Sequence, residues 1–571
     1  MKKFNKKIIL ILACLLIAFI ALIALAINVM PVNKFIISLA NYNQNEEVLY
    51  RTYYENNVPK FKLSQVNFLK NDVREVQTTE KRDILINHSR GFALSFPKNS
   101  EYDFSAAQEF IKVKCKNMSA VISKEYSTYT DKSKTKQYVN ESLNKFLLNE
   151  RYIEQNKITI HKNATERIGD FWVQVVALSR TPLPDSKVEY NTYVYCYIYT
   201  DSTMFYRIMF KAPEYTDDLM NEIYRTLYSF DSKVDVIGVS DTFTEFEPII
   251  PQYWSDETKA FYNELVNSDD CKWGIYEQLV DANEDFSLLN QLEDEIDYKF
   301  DGILEYMYYF EDIPIENMKK AYEQGKITEL TLQTSTVMNE NLDGYNPVFD
   351  IIDGAYDWQF KKIANQLKEF GHPVLFRLNN EMNSDWTSYG SSASLCDPEI
   401  YIEIWRKIYD IFKEEGVNNT IWIFNPNDQS YPPAGYNSTL AFYPGNEYVQ
   451  VFGVTGYNTG TYYAEKNNEK WRTFKEIYDD IMKNHHRIYE KFPWIITEFA
   501  SSSIGGDKAK WIEDMFNDLD DFPNIKMAFW FNSSDYDPSD ETKKTIARPY
   551  WLNETPQTTK AFSDGIKKYK K

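Results

Sequence analysis

Short apolar segments alternate with longer amphipathic ones from about residue 270 to the carboxyl terminus. The apolar segments of strand length lie at 273–276, 302–306, 327–333, 374–378, 420–424, 449–454, 494–497 and 527–531. Helical periodicity intervenes at 286–298, 315–324, 356–370, 398–415, 474–491, 509–519 and 559–568. Eight strands, most of them followed by a helix, predict an α/β fold of the (β/α)8 barrel type. In such a barrel the functional loops follow the carboxyl ends of the strands.

Two of these strand ends carry a glutamate among apolar and aromatic residues. Glu381 follows the fourth strand and Glu498 ends the seventh. A retaining glycosidase requires two carboxyl groups about 5 to 5.5 Å apart, one to protonate the leaving oxygen and one to attack the anomeric carbon. Either glutamate alone is as readily a salt-bridge partner, but the pair on one barrel face indicates catalysis.

Several ordered motifs carry a family resemblance. They lie at 377–383, 422–427, 443–445, 452–458 and 495–498. Residues from about 260 to 570 resemble glycoside hydrolase family 26, the family of β-mannanases and some β-1,3-1,4-glucanases. The resemblance implies that Glu381 is the general acid/base and Glu498 the nucleophile. It also implies that Arg377 supports the nucleophile, that Tyr457 lies near it and that Trp530 stacks on the sugar.

Two further residues are predicted to contact substrate. Trp386 lies in the segment that follows Glu381, although it and Trp530 are alternatively core aromatics. Asn380 stands where mannanases of the family usually have His. Asn-Glu is the dipeptide of the wider clan of retaining barrel glycosidases, in which the Asn amide contacts the sugar 2-hydroxyl. Asn in place of His argues against mannan as the substrate, because the 2-hydroxyl is axial in a mannoside and equatorial in a glucoside.

The amino terminus has the pattern of a membrane anchor. Four lysines precede an uninterrupted apolar run over 8–27. Twenty helical residues span about 30 Å, the thickness of a bilayer core. The positive-inside rule then predicts a single-pass protein with a cytoplasmic stub and signal-anchor helix at 1–33 and the rest of the chain outside the cell. The alternative is a cleaved signal peptide, with Ala24 to Ala26 as the cleavage site, and a secreted protein.

A small α+β domain is predicted between the anchor and the barrel. Strands are expected at 91–97, 171–179, 190–199 and 205–210, with helices at 136–150 and 217–230. This layout is loosely similar to PsbP/Mog1-like domains. The predicted organisation is therefore a stalk and α+β domain at 34–235, a linker at 236–260 and the barrel at 261–571.

Charge and cysteine content exclude several classes of function. Of the net charge of -21, residues 1–240 carry +6 and residues 241–571 carry -27. An acidic barrel argues against nucleic acid and favours a neutral polysaccharide over an anionic one. Four cysteines lie far apart outside the apolar run, with no C-x-x-C motif, so free buried thiols are expected rather than a zinc site. The acidic stretch at 535–541 lacks an EF-hand pattern and is interpreted as a solvated loop rather than a Ca²⁺ site.

The sequence therefore predicts a membrane-anchored extracellular endo-β-glycanase that hydrolyses a β-1,4-linked polysaccharide with retention, without cofactor or metal. The alternative is a non-catalytic glycan-binding or exopolysaccharide-assembly protein on the same barrel. The anchor motivates that alternative, and it makes the exopolysaccharide synthesis machinery a candidate partner. The presence of both glutamates argues against it, since binding alone has no chemical need for the pair.

Overall fold

The computed structural model describes residues 74–569 except 108, 130–133, 189, 201–202, 235, 237–244, 284, 336–341 and 543. These residues form two compact units. The first takes the described parts of Met1–Thr135, Thr159–Arg180 and Tyr190–Thr242, and the second takes Lys136–Ile158, Thr181–Glu189 and Phe243–Lys571. The units are thus not contiguous in sequence, whereas the domain limits predicted above are contiguous.

The predicted anchor at 1–33 and the stalk up to residue 73 lie outside the described residues. Within the described part of the chain, no helix combines the length and apolar character needed to cross a bilayer.

The first unit is built on antiparallel sheets. Three strands pair in the order β1-β2-β3 and seven in the order β4-β5-β6-β10-β9-β8-β7. The strands are β1 Arg74–Thr78, β2 Arg82–Asn87, β3 Phe92–Pro97, β4 Glu101–Asp103, β5 Phe110–Lys114, β6 Ser119–Tyr126, β7 Ile158–Ile168, β8 Phe171–Arg180, β9 Thr192–Tyr199 and β10 Met204–Ala212. Alternate apolar side chains of the large sheet form a core with the long helix of this unit, Asp217–Tyr228. The four predicted strands and this helix are confirmed, and the sequence did not reveal the other strands.

The segment predicted as one helix at 136–150 is broken. A short helix α1, Thr135–Tyr138, continues into one π-helical turn, Val139–Leu143, and a separate helix α2 spans Glu150–Gln155. The break has a local cause, because the Asn149 side chain accepts a hydrogen bond from the Tyr152 amide and so begins a new helix.

The second unit contains a closed barrel of eight parallel strands, which confirms the predicted architecture. The barrel strands are β11 Lys272–Glu277, β12 Gly302–Tyr308, β13 Ile327–Gln333, β14 Val374–Leu378, β15 Thr420–Phe424, β16 Val451–Thr455, β17 Trp494–Phe499 and β18 Ile525–Asn532. Closure pairs β11 with β18, with Gly274 opposite Phe529. A side chain at Gly274 would meet the Phe529 ring at 2.3 Å, so the seam requires glycine.

Helices connect and cover the barrel strands. In chain order after α2 the helices are α3 Asp217–Tyr228 of the first unit, then α4 Asp256–Asn267, α5 Gln278–Asn283, α6 Ser287–Ile296, α7 Ile315–Glu323, α8 Val348–Ile352, α9 Asp357–Phe370, α10 Pro398–Glu414, α11 Thr439–Phe442, α12 Ala464–Asn467, α13 Phe474–Tyr489, α14 Lys508–Asp518 and α15 Pro556–Ile566. A short hairpin, β19 Ser534–Tyr536 with β20 Ile546–Pro549, follows β18. Apolar side chains from alternate strand positions fill the barrel interior, among them Leu375, Ile423, Ile495 and Phe529.

The cysteines of the described chain are free and buried, as the sequence predicted. They are Cys115, Cys196, Cys271 and Cys396.

Candidate active site

Glu498 lies at the carboxyl end of β17 and accepts hydrogen bonds at both carboxylate oxygens. Its Oε2 accepts from Nη1 and Nη2 of Arg377, each at 3.2 Å, and from the Tyr306 hydroxyl. Its Oε1 accepts from the Tyr457 hydroxyl at 2.6 Å. Burial raises the pKa of both phenols well above its usual range, with the Glu498 charge adding to the effect, so both remain donors. These donors fix the carboxylate and stabilise its negative charge.

Arg377 lies on β14, fully buried between two carboxyl groups. Its Nε donates to Thr331 Oγ1 at 2.7 Å and lies 2.9 Å from Oε1 of Glu329, on the neighbouring strand β13. Burial raises the pKa of Glu329 to about 8; Arg377 opposes this shift and Glu498 adds to it. Glu329 is therefore neutral at pH 7, and the Arg377 cation balances the single charge of Glu498.

Glu381 follows β14 in a strained backbone conformation, with φ of 56°. Its amide donates to the Asn425 carbonyl at 2.7 Å, which anchors this turn to the end of β15. Its Oε2 accepts hydrogen bonds from Trp386 Nε1 at 3.0 Å and Asn427 Nδ2 at 3.2 Å. The strained turn thus directs a nearly buried carboxyl group to two fixed donors.

The pKa of Glu381 is raised to about 8. Burial is the largest cause, and the negative charge of Glu498 adds to it. Hydrogen bonds from Asn427 and Trp386 and the charge of Arg377 act in the opposite direction. At neutral pH Glu381 carries a proton, the state that a general acid requires.

The end of β15 connects the surroundings of both glutamates. Asn425 Oδ1 accepts from Arg377 Nη1 at 3.1 Å, while Asn427 donates to Glu381. Asn427 is positioned by reciprocal bonds with Asn383, from its amide to Asn383 Oδ1 at 2.8 Å and from Asn383 Nδ2 to its carbonyl at 3.0 Å. A shift of this strand end would therefore move the partners of both carboxyl groups together.

Asn380 presents an amide nitrogen at the site. Its Oδ1 accepts from Gln333 Nε2 at 2.8 Å and from the Tyr389 hydroxyl at 3.1 Å. Tyr389 also donates to the Asn380 carbonyl at 2.8 Å. With the oxygen engaged, Nδ2 is the group that remains to donate to a ligand.

The structure changes the interpretation of Trp530. Side chains of β18 point into the barrel at Met527, Phe529 and Phe531, so Trp530 points outward. It is fully buried, donates from its indole to the Tyr550 carbonyl at 2.9 Å and packs against Phe562 of α15. The neighbouring Phe531, which is half-buried, points toward the barrel interior instead.

Three residues of the site had no sequence prediction: Tyr306, Glu329 and Asn427. Asn427 could have been predicted, because it ends the motif at 422–427 and follows a barrel strand at the face where functional residues lie. Tyr306 and Glu329 had no such signal, because strand patterns here are apolar on both faces and do not reveal which residues point inward.

Acidic side chains of the loop after β18 accept hydrogen bonds from hydroxyl groups of the same loop. Asp540 accepts hydrogen bonds from Thr542 and Thr545, and Asp537 accepts from Ser539. Across the part of the chain that the structure describes, no cluster of three His, Cys, Asp or Glu side chains has metal-binding geometry.

Several known proteins are similar to the barrel segment of this chain. Residues 270–490, which include Glu381, match the model of glycosyl hydrolase family 26. Endoglucanase H of Acetivibrio thermocellus is 32% identical over 225 residues, 39% of this chain and 23% of that protein. Mannan endo-1,4-beta-mannosidase of Bacillus subtilis is 31% identical over 154 residues, 26% of this chain and 38% of that protein.

One solved structure is also similar to this chain. The catalytic domain of the GH26 endo-beta-1,4-mannanase from Bacillus sp. JAMB-750 is 17% identical, with a TM-score of 0.41, over 57% of this chain and 92% of that one. The chain spans less than two fifths of the length of either curated relative. The family match over residues 270–490 and these curated relatives support the assignment of the barrel to glycosyl hydrolase family 26.

Proposed function

We propose that the protein is a retaining endo-β-glycanase that hydrolyses a β-1,4-linked polysaccharide of the mannan or β-glucan type. The observation that carries the proposal is the contrast between two neighbouring carboxyl groups. Glu381 is protonated because it is buried near a negative charge, and Glu498 is an anion fixed by a guanidinium and two phenols. Such opposed environments support Glu381 as the acid and Glu498 as the nucleophile of a double displacement.

In the first step, Glu381 donates its proton to the glycosidic oxygen as the bond to the anomeric carbon breaks. Glu498 attacks that carbon and forms an ester. Oε1 is the attacking oxygen, because it accepts one hydrogen bond whereas Oε2 accepts three. The leaving chain departs with the proton from Glu381.

In the second step, Glu381 acts as a base. Ester formation removes the charge of Glu498, which is one cause of the raised pKa of Glu381, so that pKa falls once the ester has formed. Glu381 then takes a proton from water as the water oxygen attacks the anomeric carbon, and the ester bond breaks. Two displacements return the original stereochemistry.

The substrate proposal places β-glucan ahead of mannan. Asn380 Nδ2 is available to donate to the hydroxyl at C2, the position at which a glucoside and a mannoside differ, and Asn380 stands where mannanases of the family usually have His. Endoglucanase H among the relatives agrees with this order, while the mannosidases keep mannan as the second candidate. A screen of the full chain on mixed-linkage glucan, cellulose, glucomannan, mannan and xylan tests the order by release of reducing ends.

Substitutions at the two glutamates test the mechanism. Glu498→Gln should abolish turnover without changing the circular dichroism spectrum. Glu381→Ala should lose activity on polysaccharide by roughly 10²-fold or more, keep activity on aryl glycosides with good leaving groups, and respond to azide. The control is Asp385→Asn, in the same loop, whose carboxylate pairs with Lys145 at 3.1 Å and should be dispensable.

Full turnover by Glu498→Gln would falsify the assignment of the nucleophile. Tight glycan binding by the wild type without release of reducing ends on any polymer would instead favour the non-catalytic alternative.

We further propose that the enzyme acts outside the cell, anchored by residues 1–33. The lysine-flanked apolar run at 8–27 supports this location, and so does the acidic barrel, which suits a neutral polymer. A link to exopolysaccharide synthesis rests on the same anchor. Protease added to intact cells should digest the barrel if it is exposed; full protection in intact cells with digestion after lysis would place it inside.

A further inference from the structure

Two stacked aromatic rings follow the strand that contacts the nucleophile. Tyr306, Tyr308 and Phe310 occupy alternate positions at the end of β12 and in the turn after it. Tyr306 donates to Glu498, so its side chain lies at the catalytic mouth of the barrel. Tyr308 points to the same side of the strand, roughly 6.5 to 7 Å farther along it. The Phe310 ring stacks on Tyr308, with centroids 5.5 Å apart and planes 6° apart.

Phe310 is exposed but firmly oriented. Half of its surface is accessible to solvent, which is unusual for a phenylalanine in a well-packed rim. Its ring also contacts Tyr309 edge-on at 5.2 Å, and Tyr309 is buried against Tyr356 at 4.8 Å. An exposed ring fixed by two ring contacts loses little conformational entropy when a ligand covers it.

The turn that carries these rings is itself fixed. The Tyr308 amide donates to Glu311 Oε2 at 2.6 Å, and the Glu311 amide donates to the Tyr308 carbonyl at 3.0 Å. The Tyr309 amide donates to the Gln333 carbonyl at 3.0 Å. Gln333 in turn donates to Asn380, so the turn is connected to the residue beside Glu381.

The position of Tyr308 relative to the catalytic residues is supported by electrostatics. Burial and the charge of Glu381 raise the pKa of Tyr389 well above its usual range, and the Tyr308 phenol adds to this effect. Tyr389 donates to Asn380, so Tyr308 lies near the sugar site that Asn380 borders.

We propose that Tyr308 and Phe310 form a distal glycan-binding subsite, in which a sugar residue away from the scissile bond stacks on the exposed aromatic face. This rests on the proposed function, since the occupant is the same polysaccharide chain extended along the carboxyl face of the barrel. The class of ligand follows from the chemistry of the surface, because an uncharged aromatic face matches the axial C–H face of a pyranose ring in a neutral β-linked chain.

The test compares long and short substrates. In Phe310→Ala, KM for the polymer and for long oligosaccharides should increase roughly 3- to 10-fold, the loss expected for one aromatic stacking contact. kcat and KM for a short aryl glycoside, which does not reach the subsite, should not change. Phe310→Trp should restore or improve the polymer KM.

A matched control is available on the opposite face of the barrel. Tyr322 is also exposed and stacks on a ring, that of His372, at 3.6 Å. It lies near the end of α7, which leads into β13, and His372 precedes β14, so the pair lies at the amino-terminal ends of the strands. Tyr322→Ala should leave KM unchanged for every chain length.

Binding can be measured without turnover. Calorimetry on Glu498→Gln with a long oligosaccharide should show 3- to 10-fold weaker affinity when Phe310→Ala is added. The subsite is refuted if Phe310→Ala changes neither KM nor affinity for long chains, or if it reduces short and long substrates equally. Failure of the proposed function looks different, because the wild type itself would then release no reducing ends.

Discussion

Replacing Glu329 with glutamine should make the stability of the protein less sensitive to alkaline pH. Glu329 is fully buried and shares the Arg377 guanidinium with Glu498, lying 2.9 Å from Nε. Its Oε2 has no hydrogen-bond partner among the described residues. Burial, opposed by Arg377 and assisted by Glu498, raises its pKa from the usual 4.5 to about 8.

The direction in which pH changes the free energy of unfolding follows from the number of protons that Glu329 binds in the folded and unfolded states. Between pH 4.5 and 8 this carboxyl group is ionised in the unfolded chain and protonated in the folded one, so folding takes up a proton. Its contribution to the free energy of unfolding is complete below pH 4.5 and is lost as pH rises toward 8. The slope is about 1.4 kcal/mol per pH unit, which gives about 4 to 5 kcal/mol over the whole window.

Glutamine does not titrate, so Glu329→Gln should gain stability relative to the wild type as pH rises from 5 to 8. Glu381 has the same upward shift in pKa, but it is present in both proteins and cancels in the difference. The assay is thermal unfolding of the full-length proteins at pH 5, 6, 7 and 8. At roughly 1 to 3 °C per kcal/mol for a unit of this size, the difference in Tm should change by several degrees.

Glu293→Gln is the matched control. Glu293 is equally buried but is paired with two cations, Lys326 at 2.6 Å and Lys299 at 3.1 Å. Its loss leaves Lys326 buried without that anion and should cost about 3 to 5 kcal/mol. A Tm difference between Glu329→Gln and the wild type that stays constant from pH 5 to 8 would refute the reasoning.

Three further substitutions test individual contacts. Arg377→Lys keeps the charge but loses the planar donors to Glu498, so kcat should fall roughly 10²-fold with little change in KM in steady-state assays; an unchanged kcat would contradict this role. Trp386→Phe removes a hydrogen bond that lowers the pKa of Glu381, so the basic limb of the kcat/KM profile should move to higher pH, and movement to lower pH would contradict the assignment. Asn156→Ala removes two hydrogen bonds to the backbone of the segment before α8, one to the Gly344 carbonyl at 2.9 Å and one from the Asn346 amide at 2.8 Å. Amide hydrogen exchange in that segment should accelerate by an amount equivalent to about 1 to 2 kcal/mol. Unchanged exchange would show that these two bonds do not stabilise the segment.

The barrel could be predicted from the sequence because its strands and helices have different periodicities. Parallel strands buried on both faces appear in the sequence as short apolar runs. For two of them, 374–378 and 420–424, the predicted bounds agree with the observed ones at both ends. The antiparallel sheets of the first unit were predicted less completely. Short strands such as Glu101–Asp103 have too few residues for an alternation to be recognised.

The same apolar character limited what could be predicted about the site. When both faces of a strand are buried, the sequence does not distinguish inward from outward positions, so the predicted contact of Trp530 with the sugar does not allow for its outward orientation. Contacts between residues far apart in the sequence could not be predicted either. Tyr306 and Glu498 are 192 positions apart, and their contact depends on closure of the barrel between β11 and β18.

The unit that contains the barrel also includes a segment that the sequence places in the predicted α+β domain. Lys136–Ile158 belongs to the compact unit of the barrel. The Tyr152 hydroxyl donates to the Ala393 carbonyl, and the Cys396 thiol donates to the Leu143 carbonyl at 3.0 Å. Both contacts reach the loop after Glu381, the loop that carries Trp386. Because that indole donates a hydrogen bond to Glu381, the segment helps to set the position of Glu381, and a barrel cut at residue 261 would lose that support.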